Sequence, residues 1–447
     1  MTNKSQSWLR LLSAPWMIFS VALLIRIADL LLRRGPQPSA LQNFANFGYE
    51  IGAVARSLAL GQGFSSPFGI PTGPTAWYTP AYPLLIAAVF RIFGVYSSAS
   101  VIAIGVLNSI FSALTGLAIL GICRRTVGHK VGLWATWTWA VFPYFIQWPV
   151  RWIWDTSLSA LLMALVVYLT LRLAGSSSTL SFVGYGLSWG VVANTNPTLL
   201  VFLPVALIWI YYQRAGLSGR TRLLTLSVFV FLLTLLPWII RNRTVMGYTG
   251  LRDNFGEELF LGNHEAGPGF EPTGFNMSWA HPVWNSRELE RYRQQGELAY
   301  IQDKKNIAKR FITEHPAVFA VVTLKRIIYF WSGSPEEPRV HPTDPRARTA
   351  LLFTTAFLSF WGLLRMIWRR VPGASLFLSV LLLYPLVFYI THTNPRYRHP
   401  IEPLMTILIA YLFCSTAGER PRLLVFGKRK SARQLSSEEL QAEALRK

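Results

Sequence analysis

Long apolar stretches separated by short polar turns dominate this chain. Runs of about 16–22 residues recur along most of its length, long enough to cross ~30 Å of hydrocarbon. The pattern predicts spans near 11–32, 100–122, 131–148, 155–173, 180–195, 197–213, 223–240, 349–366, 374–391 and 401–415. The expectation is an all-α polytopic membrane protein with about ten transmembrane helices. The first run lacks a small-residue cleavage site and reads as a retained helix. Two apolar runs do not fit a crossing. Residues 81–94 are short and carry Arg91, and 316–331 carries Lys325 and Arg326 at its middle, which a crossing helix would have to bury. Both are predicted to lie along the membrane surface.

The polar stretches complete the layout. Phe44, Phe47, Ile51, Val54, Ala55 and Leu58 recur at three- and four-residue steps, placing them on one face of a helix. Asn43, Asn46, Glu50, Ala53 and Ser57 form a narrow polar stripe beside them, with one carboxylate at its middle. Gly61 and Gly63 end this helix, and a Pro/Gly/aromatic segment bearing Trp77, Tyr78 and Tyr82 follows. Basic turns at 124–130, 214–222 and 365–370 mark the cytoplasmic side. Residues 33–98 and 242–347 then become two outer segments, the first with surface-lying helices, the second with a soluble helix over 286–314. The membrane domain covers 1–415, and 416–447 is a basic cytoplasmic tail, with both termini inside.

Composition changes one point. The net charge of +22 would suggest nucleic acid in a soluble protein. Here it is accounted for by basic residues flanking spans, so no nucleic-acid partner is expected. Cys123 and Cys414 both fall near cytoplasmic span ends and imply no disulfide framework. The seven histidines show no zinc-binding spacing, so no metal site is assigned.

The informative polar clusters share one side of the membrane. Glu50 with its aromatic loop, Arg151 and Asp155, Asn194 and Asn196, Arg241 and Arg243, and Arg396, Arg398, His399 and Glu402 all lie at outer span ends. Several cations near a carboxylate suit a phosphate-bearing lipid and a general base. Arg26 and Asp29, three apart in the first span, are placed to pair.

The chain also carries, in order, a short first span and a long outer loop with an acid. Pro80-Ala81-Tyr82-Pro83 then leads into Phe90-Arg91-Ile92-Phe93-Gly94. Pro237-Trp238-Ile239-Ile240-Arg241-Asn242 and Arg396-Tyr397-Arg398-His399-Pro400-Ile401-Glu402-Pro403 follow. In that order these motifs resemble the membrane glycosyltransferases of the GT-C fold, in the family-39-like group of protein O-mannosyltransferases and lipid A aminoarabinose transferases. The resemblance runs over about residues 10–415. It implies a sugar donor carried on a polyprenyl phosphate, used at the outer face of the membrane, for a bacterial protein the periplasmic side of the inner membrane, in building the cell envelope. It also implies a first-loop carboxylate that takes a proton from an acceptor hydroxyl. Where the family often has an acidic pair, this chain has Phe47 and Gly48. The base is therefore Glu50 in a shifted register, or Asp155. Divalent-metal dependence stays open, because family members differ, and no cofactor is indicated.

The expected reaction is inverting transfer of a sugar to a hydroxyl on a lipid, glycan or protein. Arg241, Arg243, Arg396 and Arg398 are the candidates for gripping the donor phosphate, each pair two residues apart in an extended segment that could aim both guanidiniums at one phosphate. Trp77, Tyr78, Tyr82, Asn194 and Asn196 are the candidate sugar and acceptor contacts. No Gly-rich phosphate loop or Asp-x-Asp triplet points to a nucleotide sugar. The alternatives are a glycan ligase working from a lipid carrier, a lipid or sugar flippase, and a non-catalytic scaffold.

Overall fold

A computed structural model describes residues 12–33, 47–215, 217–264, 280–333 and 345–415. Among the described residues there is no strand, only one isolated bridge between Ser65 and Pro74. The described helices start with α1 (Pro15–Arg33), the short α2 (Glu50–Ala59) and α3 (Ala81–Phe93), and the long α4 (Ser98–Arg125). Then come α5 (His129–Val141), α6 (Pro143–Arg151), α7 (Thr156–Leu173) and α8 (Thr179–Thr195). A 3-10 turn, Pro197–Phe202, runs into α9 (Leu203–Gln213) and is followed by α10 (Arg220–Met246). Next come α11 (Phe255–Gly262), α12 (Ser286–Gln295), α13 (Glu297–Glu314) and α14 (Pro316–Ser332), in the segment expected to lie outside. The end of the chain is α15 (Pro345–Trp368), α16 (Ala374–Leu383), α17 (Leu386–Ile390), a 3-10 turn over Pro395–Ile401, and α18 (Glu402–Cys414).

Among the described residues five helices are long and apolar enough to cross a membrane: Pro15–Leu32, Ser98–Arg125, Thr156–Leu173, Arg220–Met246 and Arg346–Trp368. Other expected spans are broken. The run 131–148 divides at Phe142, whose extended backbone precedes Pro143, as the residue before a proline is pushed out of the helical region. The run 374–391 divides at Tyr384-Pro385, and 197–213 opens as a 3-10 turn. The outer helix over 286–314 is two helices, split at Gly296 with φ 79. The tail 416–447, and Asn43, Phe44 and Asn46 of the expected helix, lie outside the described residues.

Two corrections concern arginine geometry. α10 does not give way to an extended segment after residue 240; it continues through Arg241 and Arg243 to Met246 and closes on left-handed Gly247. Arg396 and Arg398 likewise sit on a 3-10 turn, capped by Asn394, whose side chain accepts from the Arg396 N–H. Neither segment is extended. On a helix, residues two apart point to different sides, so neither pair can aim both forks at one phosphate.

α4 is the pivot of the bundle, packing against α1, α5 and α7; α8 pairs with α10, and α15 with α18. Arg26 of α1 is fully buried and donates to Ser112 Oγ and to the carbonyls of Ala22, Trp139 and Ala140 at 2.9–3.0 Å. In α14 the expectation that neither cation is buried holds for one of the two. Lys325 is exposed, but Arg326 is buried and donates to the Gly262 carbonyl, Asn263 Oδ1 and the Ile390 carbonyl.

α2 docks onto α3. Phe47, just before α2, is fully buried against Phe90 and Tyr96, with ring centroids 5.1 Å from each; burial of such a ring stabilises by about 2 kcal/mol. The helix starts at Glu50 rather than further upstream because Gly48 (φ 77) and Tyr49 (φ 50) turn the chain sharply. A Cβ at position 48 would collide with the Ile153 carbonyl. Gly48→Ala is therefore expected to destabilise the fold by about 1–3 kcal/mol, read as a lowered thermal midpoint of the purified protein. An unchanged midpoint would show that this turn is not the constraint.

Candidate functional site

The Gly48–Glu50 turn abuts Ile153 and Trp154, and the turn over Pro395–Ile401 packs on α7. Between these elements lies a cavity of about 320 Å³. Trp154, Asp155 and Ser159 contribute one side and Asn196–Thr198 a second. Arg252, Asn254 and Glu258 come from the second outer segment, and Tyr384, His392, Arg396 and Tyr397 from near the end of the chain. Tyr78 of the first outer loop completes the wall.

Two guanidiniums face this space, each laid on aromatic rings. Arg396 sits 4.2 Å from the Trp154 centroid and 5.1 Å from that of Tyr397, and Arg252 lies 4.7 Å from Tyr78. Such stacking orients a planar fork while leaving in-plane N–H groups for an anion. Arg252 also donates through Nε to the Trp77 carbonyl at 3.0 Å and contacts Glu258 at 3.5 Å.

Three carboxyl groups differ in environment. Glu258 accepts from Asn254 Nδ2 at 2.7 Å and lies 3.5 Å from His392 Nε2, which is also 3.0 Å from the Tyr397 hydroxyl. Burial pushes the Glu258 carboxyl up, but His392, Arg252 and Arg396 outweigh it and hold it below the usual range. Asp155 precedes α7 and accepts from Ser159 Oγ at 3.1 Å, and burial raises its pKa. The chain of bonds continues from Asn196 Nδ2 to Ser159 Oγ (3.2 Å), while Asn196 Oδ1 accepts from the Thr198 N–H and hydroxyl. That ladder presents neutral donors and acceptors of the kind sugar hydroxyls need.

Glu50 does not line the cavity itself. It is 7% exposed, with Oε1 3.3 Å from His281 Nε2. His281 Nδ1 accepts from the Val283 N–H at 3.2 Å, so in the neutral ring Nε2 carries the hydrogen and donates to Glu50. Burial keeps His281 neutral, lowering it to about 4. Burial raises Glu50 to about 7, with Arg396 and Arg252 pulling against it and Glu258 reinforcing it. Its charge is felt by Tyr78, whose hydroxyl is pushed well up by burial and then by Glu50.

Of the residues singled out from sequence, Asp155, Arg396, Tyr78 and Asn196 line the cavity. The others are placed elsewhere. Arg241 donates to the carbonyls of Thr75 and Phe64, clasping the first outer loop. Arg243 is exposed and bonds the Gly247 carbonyl. Arg398 is 2% exposed, held by Glu402 and the carbonyls of Trp331 and Leu352. Trp77 is buried in an aromatic box with Phe68, His281 and Tyr292. Tyr82 donates to Asn108 Oδ1 of α4, and Asn194 to the carbonyls of Gly190 and Thr234.

Arg252, Glu258 and His281 were missed by sequence reasoning. The one available signal was the charged run Arg252-Asp253-Asn254-Phe255-Gly256-Glu257-Glu258 directly after a span. Among the described residues no group of three His, Cys, Asp or Glu side chains is arranged to hold a metal ion.

A family model described as dolichyl-phosphate-mannose-protein mannosyltransferase matches residues 77–240. No curated protein matches the sequence. Among solved structures the chain is similar to the archaeal oligosaccharyltransferase AglB from Archaeoglobus fulgidus in complex with an inhibitory peptide and a dolichol-phosphate. The identity is 12% and the TM-score 0.52, over 92% of this chain and 50% of that one. The apo form of the Archaeoglobus fulgidus oligosaccharyltransferase gives 13% and 0.50, over 88% and 50%. ArnT from Cupriavidus metallidurans bound to undecaprenyl phosphate gives 13% and 0.41, over 89% and 76%. The chain thus spans about half the length of the oligosaccharyltransferases it resembles.

Proposed function

We propose that this integral membrane protein, which has the GT-C fold of membrane glycosyltransferases, moves a sugar from a polyprenyl-phosphate donor to a hydroxyl acceptor at the outer face of the membrane. The observation that carries the reading is the cavity itself. It joins two ring-stacked guanidiniums to a neutral hydrogen-bonding ladder, beside a carboxyl group whose pKa lies near neutrality. Arg396 and Arg252 are the anion-binding pair, matched to the phosphate that leaves with the lipid. Asp155, Ser159, Asn196 and Thr198 would hold sugar hydroxyls.

In the proposed reaction the acceptor oxygen attacks the anomeric carbon, the bond from that carbon to the phosphate oxygen breaks, and the configuration inverts. Glu50 takes the proton of the attacking hydroxyl. Environments that push neighbouring carboxyl groups apart mark acid–base partners. Here Glu258 stays ionised, while Glu50 titrates where a general base is most useful. Burial beside the membrane supplies that shift without a special partner.

The test is donor consumption by the purified protein in sealed vesicles containing polyprenyl-phosphate sugars and a hydroxyl acceptor. Consumption with release of polyprenyl phosphate supports the reading. Movement of the lipid between leaflets with the sugar still attached would identify a flippase and overturn it.

The outer placement has its own check. Gln62, Ser286 and Ser218 are all exposed, and the basic turns put the first two outside and the third inside. Gln62→Cys and Ser286→Cys should react with an impermeant thiol reagent in intact cells, and Ser218→Cys only after lysis. Protection of Gln62→Cys in intact cells would reverse the orientation.

A further inference from the structure

We propose that Asp253 and Glu297 share one proton and act as a positioning pair, holding residues 75–78 as a strap against the cavity wall. Glu297 opens α13 with both oxygens turned to the strap. Oε1 accepts from the Ala76 N–H at 2.6 Å, and Oε2 from the hydroxyls of Thr75 and Tyr292 at 2.5 Å each. Asp253 grips the same strap from the segment after α10, donating its backbone N–H to the Ala76 carbonyl at 3.1 Å. Its carboxyl group feels the charge of Glu297. Asp253 is 7% exposed, and neither of its side-chain oxygens has a donor.

Glu297 and Asp253 are buried and hold the same residue, Ala76, by its N–H and its carbonyl, and two buried carboxyl groups so placed repel strongly when both are ionised. One proton between them turns that repulsion into a hydrogen bond, and the unpartnered oxygens of Asp253 mark where it belongs. The surrounding charges offer no substitute. Arg252 spends its Nε on the Trp77 carbonyl, and Arg241 of α10, which acts on Glu297 at longer range, is bonded to the Thr75 and Phe64 carbonyls. Tyr248 and Tyr292 are neutral hydroxyls, raised by burial and then by the pair. Glu257, one turn further on, is raised by burial, with Lys304 pulling against it. Burial and then Glu297 push Asp253 up to about 9, so the proton remains at neutral pH. The strap so fixed delivers Tyr78 to the cavity, with Arg252 stacked on it.

The test uses full-length purified protein. Asp253→Asn keeps an N–H donor for Glu297, and Asp253→Ala does not. At pH 7 the infrared spectrum of the wild type should contain a protonated-carboxyl C=O component that Asp253→Asn removes. A folded pKa raised from 3.8 to about 9 makes the stabilisation complete below 3.8 and lost as pH approaches 9. The thermal midpoint of the wild type should therefore fall over that window more steeply than that of Asp253→Asn. At pH 7, Asp253→Ala should melt lower than Asp253→Asn; if the alanine variant does not fold, the spectrum and the pH slope of Asp253→Asn still decide. The pair is refuted if the difference spectrum between the wild type and Asp253→Asn shows no loss of acid C=O intensity, or if the pH slope of the variant equals that of the wild type. None of these readouts requires transfer activity, so a failure of the proposed reaction leaves them interpretable.

Discussion

Exchanging Glu50 for Gln should lower sugar transfer by about 10²-fold or more, the usual contribution of a general base. The variant should still fold, because Gln can accept the same His281 N–H through its amide oxygen. Stability gives a second, opposite signature. Glu50 has its pKa raised from 4.5 to about 7, so the stabilisation from its protonated form is complete below 4.5 and lost as pH climbs to about 7. Gln escapes that loss, and the variant should melt no lower than the wild type at pH 8. The wild-type rate should rise with pH through about 7, as the base ionises, and then level off. Glu50→Gln should lose that limb. These quantities follow from donor consumption in vesicles and from thermal melts. Wild-type transfer in Glu50→Gln, with Asp155→Asn inactive, would move the base to Asp155.

Arg396→Lys and Arg252→Lys should each weaken donor use by roughly 10- to 100-fold. Lys keeps the charge but loses the planar fork and its stacking on Trp154 or Tyr78. A lost charge-assisted hydrogen bond costs ~1.5–3 kcal/mol, which sets that range. The loss should appear in KM for the lipid donor. Arg243→Lys, exposed and away from the cavity, should be indistinguishable from wild type. Arg241→Lys should act on thermal stability, since its fork clasps two loop carbonyls. Should Arg396→Lys and Arg252→Lys both use donor normally, the phosphate is bound elsewhere.

The long apolar helices were legible because hydrocarbon thickness imposes a length that composition displays directly. The breaks were less so. Pro143 and Pro385 interrupt runs whose hydropathy is continuous, whereas Pro237 leaves α10 continuous. A proline's effect depends on whether neighbouring groups satisfy the freed carbonyl, which one sequence does not display. That difference misplaced Arg241 and Arg243: the helix carries both past the point where an extended exit was expected. Asp155 and Asn196 could be found because each stands at a span end. The partnership of Glu258 with His392 joins residues 134 apart, and no local periodicity encodes it. Glu50 was visible as the single carboxylate of its helix. The turn at Gly48 and Tyr49, which sets its depth, is a feature of backbone dihedrals rather than of residue pattern.

The buried guanidinium of Arg26 has a consequence for the order in which the chain is made. Its acceptors on α4 and α5 are Ser112 and the carbonyls of Trp139 and Ala140, the last 114 residues downstream. The first apolar helix therefore leaves the ribosome well before the groups that neutralise it exist. A charge carried alone at the centre of a bilayer helix costs about 2.5–3.5 kcal/mol on insertion scales, enough to keep that helix at the interface with its cation snorkelling to water. Assembly of the N-terminal part is thus timed by synthesis of α5. Nascent chains arrested before residue 139 should hold α1 in a state that membrane quality control can tell from the finished protein.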